Sequence, residues 1–351
     1  MNYLHFVKVL SALSVLIATV ICGPTFAAEP DAVQSFCDEL SAKVVRAEKE
    51  QQSALPGKDG WMFFVPELRA LSVGPFWGKD AIQVSRSAKP AYADPLPAIV
   101  DFNNQLRKSG IHLLVVPVPA KAAVYPEQIS SYHNRKPVLL DETQRRFYRV
   151  LADQGVAVLD LLPTFLEHRN DSNGLLYCKT DTHWSGRGAA LAAEQIATCF
   201  ETQPWLRESK RTKYASQVRN GEITGDLARM LDETNPVKET LPLTFIGTGS
   251  DLTPVQTDRQ SPVLLIGDSH TLVFHDPTLH ARGAGLPDLL AKQFGFPVDL
   301  IGVRGSGATT TRIELLRRRD NLKGKKLVIW CFSFREFTES YSGWRKVPVI
   351  R

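Results

Sequence analysis

Val263-Leu264-Leu265-Ile266-Gly267-Asp268-Ser269-His270 is the stretch on which the fold turns. A short apolar run closed by glycine spells a buried strand, and the polar residues after it fall in a turn at the strand's carboxyl end. Open α/β sheets keep their chemistry at that edge. Ser269 is therefore expected on a turn, presented and not buried within a strand.

Outward from this stretch, apolar runs at 113–118, 156–162, 298–301 and 327–332 alternate with helical patterns at 96–108, 141–153, 186–200, 286–294 and 311–318. Alternation of this kind builds βα units, so the expected fold is α/β, a mainly parallel sheet flanked by helices. Gly110 and Gly155 close the first two helical patterns. Residues 201–260 break the rhythm: they are polar, rich in Thr, Asn, Lys and Pro, and hold one short helical pattern at 225–230. They read either as an insertion or lid at the rim of a site or as a surface excursion.

A second segment, Asp181-Thr182-His183-Trp184, supplies what a serine hydroxyl lacks. Serine is a weak nucleophile until an imidazole takes its proton and a carboxylate fixes that imidazole's tautomer. Asp181 and His183 stand two residues apart, so in extended or turn backbone they point the same way. Each segment alone is a common chance pattern. Together they hold every part of a Ser-His-Asp acyl-transfer machine, with Ser269 as nucleophile, His183 as base and Asp181 as its orienter.

The first residues read as an export signal over 1–27: Lys8, an apolar stretch over 9–22, and small residues at Thr25 and Ala27 suited to cleavage after Ala27. An uncleaved N-terminal anchor is the alternative. Ile21 is large where a lipoprotein signal before Cys22 wants a small residue. The remainder, 28–351, is long enough for one large domain, and its 43% apolar fraction is ordinary for globular proteins. A net charge of +5 is spread along the chain without a basic stripe, so no nucleic-acid partner is expected. Cys37, Cys178, Cys199 and Cys331 form no Cys-x-x-Cys pair, and a Cys37–Cys199 disulfide is expected, with Cys331 as a core residue.

Laid in order, these segments make the chain resemble the alginate O-acetyltransferase group of periplasmic SGNH-hydrolase-like proteins, the AlgJ and AlgX type. The resemblance rests on Gly57-Lys58-Asp59-Gly60-Trp61-Met62-Phe63-Phe64, Val116-Pro117-Val118-Pro119-Ala120-Lys121 and Tyr125-Pro126-Glu127. It continues through Asp181-Thr182-His183-Trp184-Ser185, Gly225-Asp226-Leu227, Gly267-Asp268-Ser269-His270 and Arg335-Glu336-Phe337-Thr338. Ordinary SGNH hydrolases place the serine before the Asp and His; here, as in that group, Asp-x-His comes first. The resemblance implies a flavodoxin-like sheet with permuted motif order and acetyl transfer to hydroxyls of an exported polysaccharide in the periplasm. It also implies a membrane-bound acyltransferase that delivers acetyl, and other polysaccharide-export proteins, as partners. An SGNH-type acetylesterase and a non-catalytic polysaccharide-binding scaffold are the alternatives.

Around the core residues, the backbone N–H of Ser269 and the loop Arg304-Gly305-Ser306-Gly307-Ala308 are expected to receive an oxyanion, the loop's other reading being a strand-to-helix turn. Trp184 reads as a sugar platform or as packing, and Trp61 and Trp77 carry the same two readings. Lys121 and Arg304 could hold a uronate carboxylate, or Lys121 could be surface charge. His270 is expected beside the nucleophile, His275 as structural or substrate-facing, and Asp268 as a brace of the serine turn. A metal held by Asp181, Asp268, His270 and His275 is disfavoured by their spacing, so no metal or cofactor is expected.

Overall fold

In the computed structural model, which describes residues 30–131 and 140–351, a five-stranded, wholly parallel sheet carries the molecule. The expected signal at 1–27 lies outside the described residues, and among these no helix is long and apolar enough to cross a membrane. A small antiparallel pair, β1 (Ala54–Pro56) with β2 (Met62–Phe64), leads in. The main sheet comprises β3 (His112–Val118), β4 (Ala157–Val158), β8 (Val263–Gly267), β9 (Asp299–Gly302) and β10 (Leu327–Ser333), in the order β4-β3-β10-β8-β9. Between them in sequence, β5 (Ala215–Thr224), β6 (Lys238–Thr248) and β7 (Thr253–Pro254) form a separate antiparallel sheet.

The strand order explains the inverted motif order. Counted from β8 as the first strand, the sheet reads β9-β8-β10-β3-β4, the flavodoxin-like 2-1-3-4-5. The chain has been permuted, with its opening between β10 and β3. β8 therefore sits beside β10 at the switch point, where crossovers diverge and leave a crevice at the carboxyl edge. Helices Glu142–Asp153, Leu286–Phe294 and Thr310–Arg318 make the crossovers, and Leu96–Lys108 feeds into β3. Every residue of β8 and β10 is buried, as strands covered on both faces must be.

The strand expected over 156–162 and the expected disulfide need correction. The run at 156–162 is strand only over Ala157–Val158, because the Asp160 carboxylate accepts from Leu162 N–H at 3.1 Å and turns the chain into helix Leu162–His168. Residues 201–260 hold the β5–β6 hairpin, which no apolar alternation announces on β5, since most of that strand is exposed on both faces. On β6 the inward Leu241 and Leu243 do alternate, but Pro242 between them argues against a strand. It is tolerated because β7 pairs only with Gly247 and Thr248, leaving that side of β6 an edge at Pro242. Leu243 seats the hairpin on the start of helix Gly186–Thr198, where a Cβ on Gly186 would lie 2.9 Å from Leu243 Cδ2.

The four cysteines among the described residues are free, so the Cys37–Cys199 bridge is absent. Cys37 Sγ lies 3.9 Å from Leu71 O under helix Pro30–Lys49, whereas Cys199 Sγ donates to Gln195 O at the end of helix Gly186–Thr198.

Gly267 ends β8 where the backbones run closest: a Cβ there would stand 1.6 Å from Cys331 O. Gly267→Ala is expected to lower unfolding free energy by about 3 kcal/mol, read by urea denaturation. Gly74→Ala, which meets nothing within 4 Å, should leave it unchanged.

Candidate active site

The segment bearing Asp181 and His183 is a tight hairpin. Tyr177 bridges Trp184, Cys178 N–H donates to His183 O, and Ser185 N–H donates to Leu176 O. Ser185 then caps helix Gly186–Thr198, its Oγ accepting from the N–H groups of Arg187 and Gly188. The hairpin's tip is held from three directions. Glu239 of β6 accepts from Lys179 N–H, Thr180 N–H and the Thr180 hydroxyl, each at 2.9 Å. Asp226 accepts from Thr182 N–H at 2.7 Å and the Thr182 hydroxyl at 2.6 Å. The Lys121 ammonium donates to Asp181 O at 2.6 Å and to Met62 O at 3.0 Å.

The tip places Asp181 under the ring of His183. Asp181 Oδ1 accepts from His183 Nδ1 at 2.6 Å and from its backbone N–H at 3.0 Å. Oδ2 accepts from Asp226 N–H at 3.0 Å and from His280 Nε2 at 2.8 Å. With Nδ1 so engaged, Nε2 faces Ser269 Oγ at 2.7 Å. Ser269 starts a single 3₁₀ turn after β8, capped by Asp268, whose Oδ1 accepts from His270 N–H. Asp268 Oδ2 accepts from Ser333 N–H at 2.7 Å, pinning the serine turn to the end of β10.

Burial and charge act in opposite senses on these groups. Burial would raise the Asp181 carboxyl, but the imidazoles of His183 and His280 outweigh it and hold it well below the usual range. Burial would lower His183, and the Asp181 carboxylate more than reverses this. His270 goes the other way: burial lowers it, with only partial relief from Asp268. The rings of His183 and His270 lie 4.8 Å apart, so one takes a proton readily and its neighbour stays neutral. Burial would raise Asp268 too, but His270 and the Arg335 charge bring it to about 2.

The other expected residues fall in varied places. His270 lies beside the nucleophile, 1% exposed, with Nδ1 3.1 Å from Asp268 Oδ1. Trp184 is fully buried and packs edge-on against His270, which removes it as a sugar platform. Lys121 is 1% exposed and spent on backbone carbonyls beneath the site, so it neither meets a uronate nor sits at the surface. Arg304 reaches outward to Asp276 and Thr278. Ser306 Oγ is occupied by Glu336 and Ser340, and Gly305 borders open space at φ +93°. Gly307 makes the close approach instead: a Cβ there would stand 2.6 Å from Asp268 N. Trp61 is buried, Trp77 is half-buried, and His275 pairs with Asp288 at 2.9 Å.

Asp226, Glu239 and His280 were not singled out for the site. Gly225-Asp226-Leu227 is visible as a motif, while Glu239 and His280 sit in stretches with no pattern. Ligand-capable atoms of Asp181, His183 and Asp226 lie within 4.8 Å of one another. Both oxygens of each carboxylate already accept hydrogen bonds, so a cation there would have to displace them.

Two pH responses follow. A protonated His183 cannot accept the serine proton, so if this site is active its acid limb lies above the 6.5 of an ordinary imidazole. Asp181→Asn should drop kcat about 10³- to 10⁴-fold and move the limb to lower pH, read in kcat/KM profiles. Glu336, which holds Ser306, is raised by burial to about 7 from 4.5, against the pull of Arg335. Between those pH values the folded chain holds a proton that the unfolded chain has lost, so stability falls as pH rises, by about 3 kcal/mol in all. Glu336→Gln should flatten that slope in unfolding curves taken across the window.

The "SGNH hydrolase-like domain, acetyltransferase AlgX" family matches residues 54–334. The chain is 28% identical over 267 residues to "Probable alginate O-acetylase AlgJ" of Azotobacter vinelandii, covering 73% of this chain and 66% of that protein. It is 27% identical over 175 residues to the protein so named in Pseudomonas syringae pv. tomato, covering 50% and 40%. The chain thus spans less than two thirds of the length of these two relatives. Among solved structures, the O-acetyltransferase domain of Pseudomonas putida AlgJ superposes with a TM-score of 0.60 at 20% identity, covering 82% of this chain and 92% of that one. Pseudomonas aeruginosa AlgX gives 0.59 at 16%, covering 80% and 62%, a likeness of fold. With most of its length matched and the fold shared, the chain belongs to the SGNH hydrolase-like, AlgX-type acetyltransferase family.

Proposed function

We propose that the protein is an exported O-acetyltransferase that moves acetyl groups onto hydroxyls of a polysaccharide through an acetyl-Ser269 intermediate. The observation that carries this is the unbroken line from Asp181 Oδ1 through both ring nitrogens of His183 to Ser269 Oγ, at 2.6 and 2.7 Å. Family membership supports acetyl as the group transferred, and the names of the alginate O-acetylase relatives support a polysaccharide acceptor.

In this scheme Ser269 Oγ attacks the carbonyl carbon of an acetyl ester while its proton passes to His183 Nε2. The tetrahedral adduct collapses, and the donor alcohol leaves with that proton. A sugar hydroxyl then gives its proton to His183 as it attacks acetyl-Ser269, and Ser269 leaves and recovers the proton. Among the described residues nothing accepts from the backbone N–H of Ser269, which suits it to the oxyanion, with the 305–307 backbone as the second donor source. Within 201–260, Asp226 and Glu239 grip the tip directly, which supports reading this stretch as part of the frame of the site. A membrane-bound acyltransferase would supply the donor in the periplasm, with the segment at 1–27 as the export signal.

An activated acetyl ester offered with uronate-rich or neutral oligosaccharides tests the proposal. Acetyl is expected on the sugar, and about 10³-fold less or none with Ser269→Ala. Ester loss to water alone, whatever the acceptor, would assign an esterase instead. Equal rates for wild type and Ser269→Ala would overturn the serine mechanism.

A further inference from the structure

The structure assigns His280 as a positioning residue for acyl transfer, holding the second oxygen of Asp181 so that the first stays aimed at His183. The assignment rests on the roles proposed above for Ser269, His183 and Asp181. It concerns a residue ninety-nine positions from Asp181 in sequence, in a stretch that no motif marks.

A carboxylate has about four acceptor sites, and Asp181 meets four donors: two from His183 on Oδ1, and Asp226 N–H and His280 Nε2 on Oδ2. Its side chain is 1% exposed and that of His280 10%, so water is poorly placed to replace a lost donor. Three of the four donors come from groups with other duties: two from His183 itself and one from the backbone. His280 alone is a side chain brought in from another segment to meet this oxygen. Without it, Oδ2 keeps a single donor, and the buried anion gains by turning, which swings Oδ1 away from His183 Nδ1. Both the neutral Nε2–H ring and the imidazolium present a donor here, so the contact does not depend on which one forms.

The segment that carries His280 is built to hold it. His280 has φ +78°, a left-handed conformation that few residues other than glycine adopt, and Phe274 has φ +62°. Such geometry persists only where the surroundings over-determine it. Phe274 N–H donates to Leu279 O and Ala284 N–H to Phe274 O, closing the segment on itself. Asp276 Oδ1 accepts from both the N–H and the hydroxyl of Thr278. Arg304 then clamps Asp276 and Thr278 from the loop after β9, and the ring of Phe274 lies 5.9 Å from that of His280. Arg304, expected at the oxyanion or a uronate, thus serves the site at one remove.

The test compares His280→Ala and His280→Gln, whose side-chain amide can donate at similar reach, with Ser269→Ala alongside. Steady-state kinetics are combined with the low-field proton NMR signal of His183 Nδ1–H, and thermal unfolding serves as a check on folding. His280→Ala is expected to lower kcat about 10- to 100-fold, the worth of one hydrogen bond to a charged group, with KM changed by less than about twofold. The Nδ1–H signal should shift or broaden in His280→Ala, and His280→Gln should restore most of both. An Nδ1–H signal unmoved in His280→Ala overturns the assignment, whatever happens to kcat or to the unfolding temperature. So does a shifted signal with kcat unchanged in an enzyme that Ser269→Ala inactivates. If Ser269→Ala retains full activity, the acyl-transfer reading fails separately, and the NMR signal still decides whether His280 holds Asp181.

Discussion

A single buried carboxylate organises this molecule's working edge. Asp181 is ionised where burial alone would neutralise it, and it stays so because four donors from three separate stretches of chain converge on it. Those stretches are its own hairpin, the start of helix Asp226–Leu231 and the segment around His280. A buried charge that lost any of them would be costly, so the requirement to satisfy Asp181 fixes how the three pieces dock. The imidazole orientation at His183 is a by-product of that docking. What looks like a local Asp-x-His motif is a junction of distant segments.

The sheet supplies the other constraint. Gly267 must be glycine because β8 and β10 approach closely there, and Asp268 uses both oxygens to tie the next turn down. Ser269 consequently leaves the sheet in one direction only, toward the crevice where His183 waits. Asp268 and Asp181 do parallel work from opposite sides, each an ionised carboxylate that spends its lone pairs on backbone and imidazole donors. His183 and His270 nevertheless differ: the Asp181 carboxylate more than offsets burial at the first, while at the second burial, helped by the charges of His183 and Arg335, outweighs Asp268.

Much of this was legible in the sequence, and the limits have physical reasons. Continuous apolar runs mark strands buried on both faces, so β3, β8 and β10 and the helices between them could be read from periodicity, while the edge strand β9, half-buried at Leu300 and Gly302, was marked only by the shorter run at 298–301. The β5–β6 hairpin could not, because its outer strand faces water on both sides and carries no alternation. Ser269, His183 and Asp181 were legible because strand end and residue spacing jointly constrain them. Trp184 read as a sugar platform or as packing, and Lys121 as a substrate contact or as surface charge; packing holds for the first and neither reading for the second, because residue type suggests chemistry while only packing decides exposure. His280 was invisible: its role comes from an irregular backbone that no periodic pattern encodes.

The permuted strand order also bears on how the chain reaches this state. β10 is the central strand, yet it comes last in sequence, and its partner β3 lies on the order of 200 residues upstream. Until 327–333 are available, β3–β4 and β8–β9 are two half-sheets with no common neighbour, each with an uncovered apolar edge. Assembly of the sheet is thus a late event of high contact order, and the crevice that holds Ser269 comes into being only when it is complete. A chain still lacking 327–333 would contain Asp181, His183 and Ser269 without the sheet edge that brings them into line.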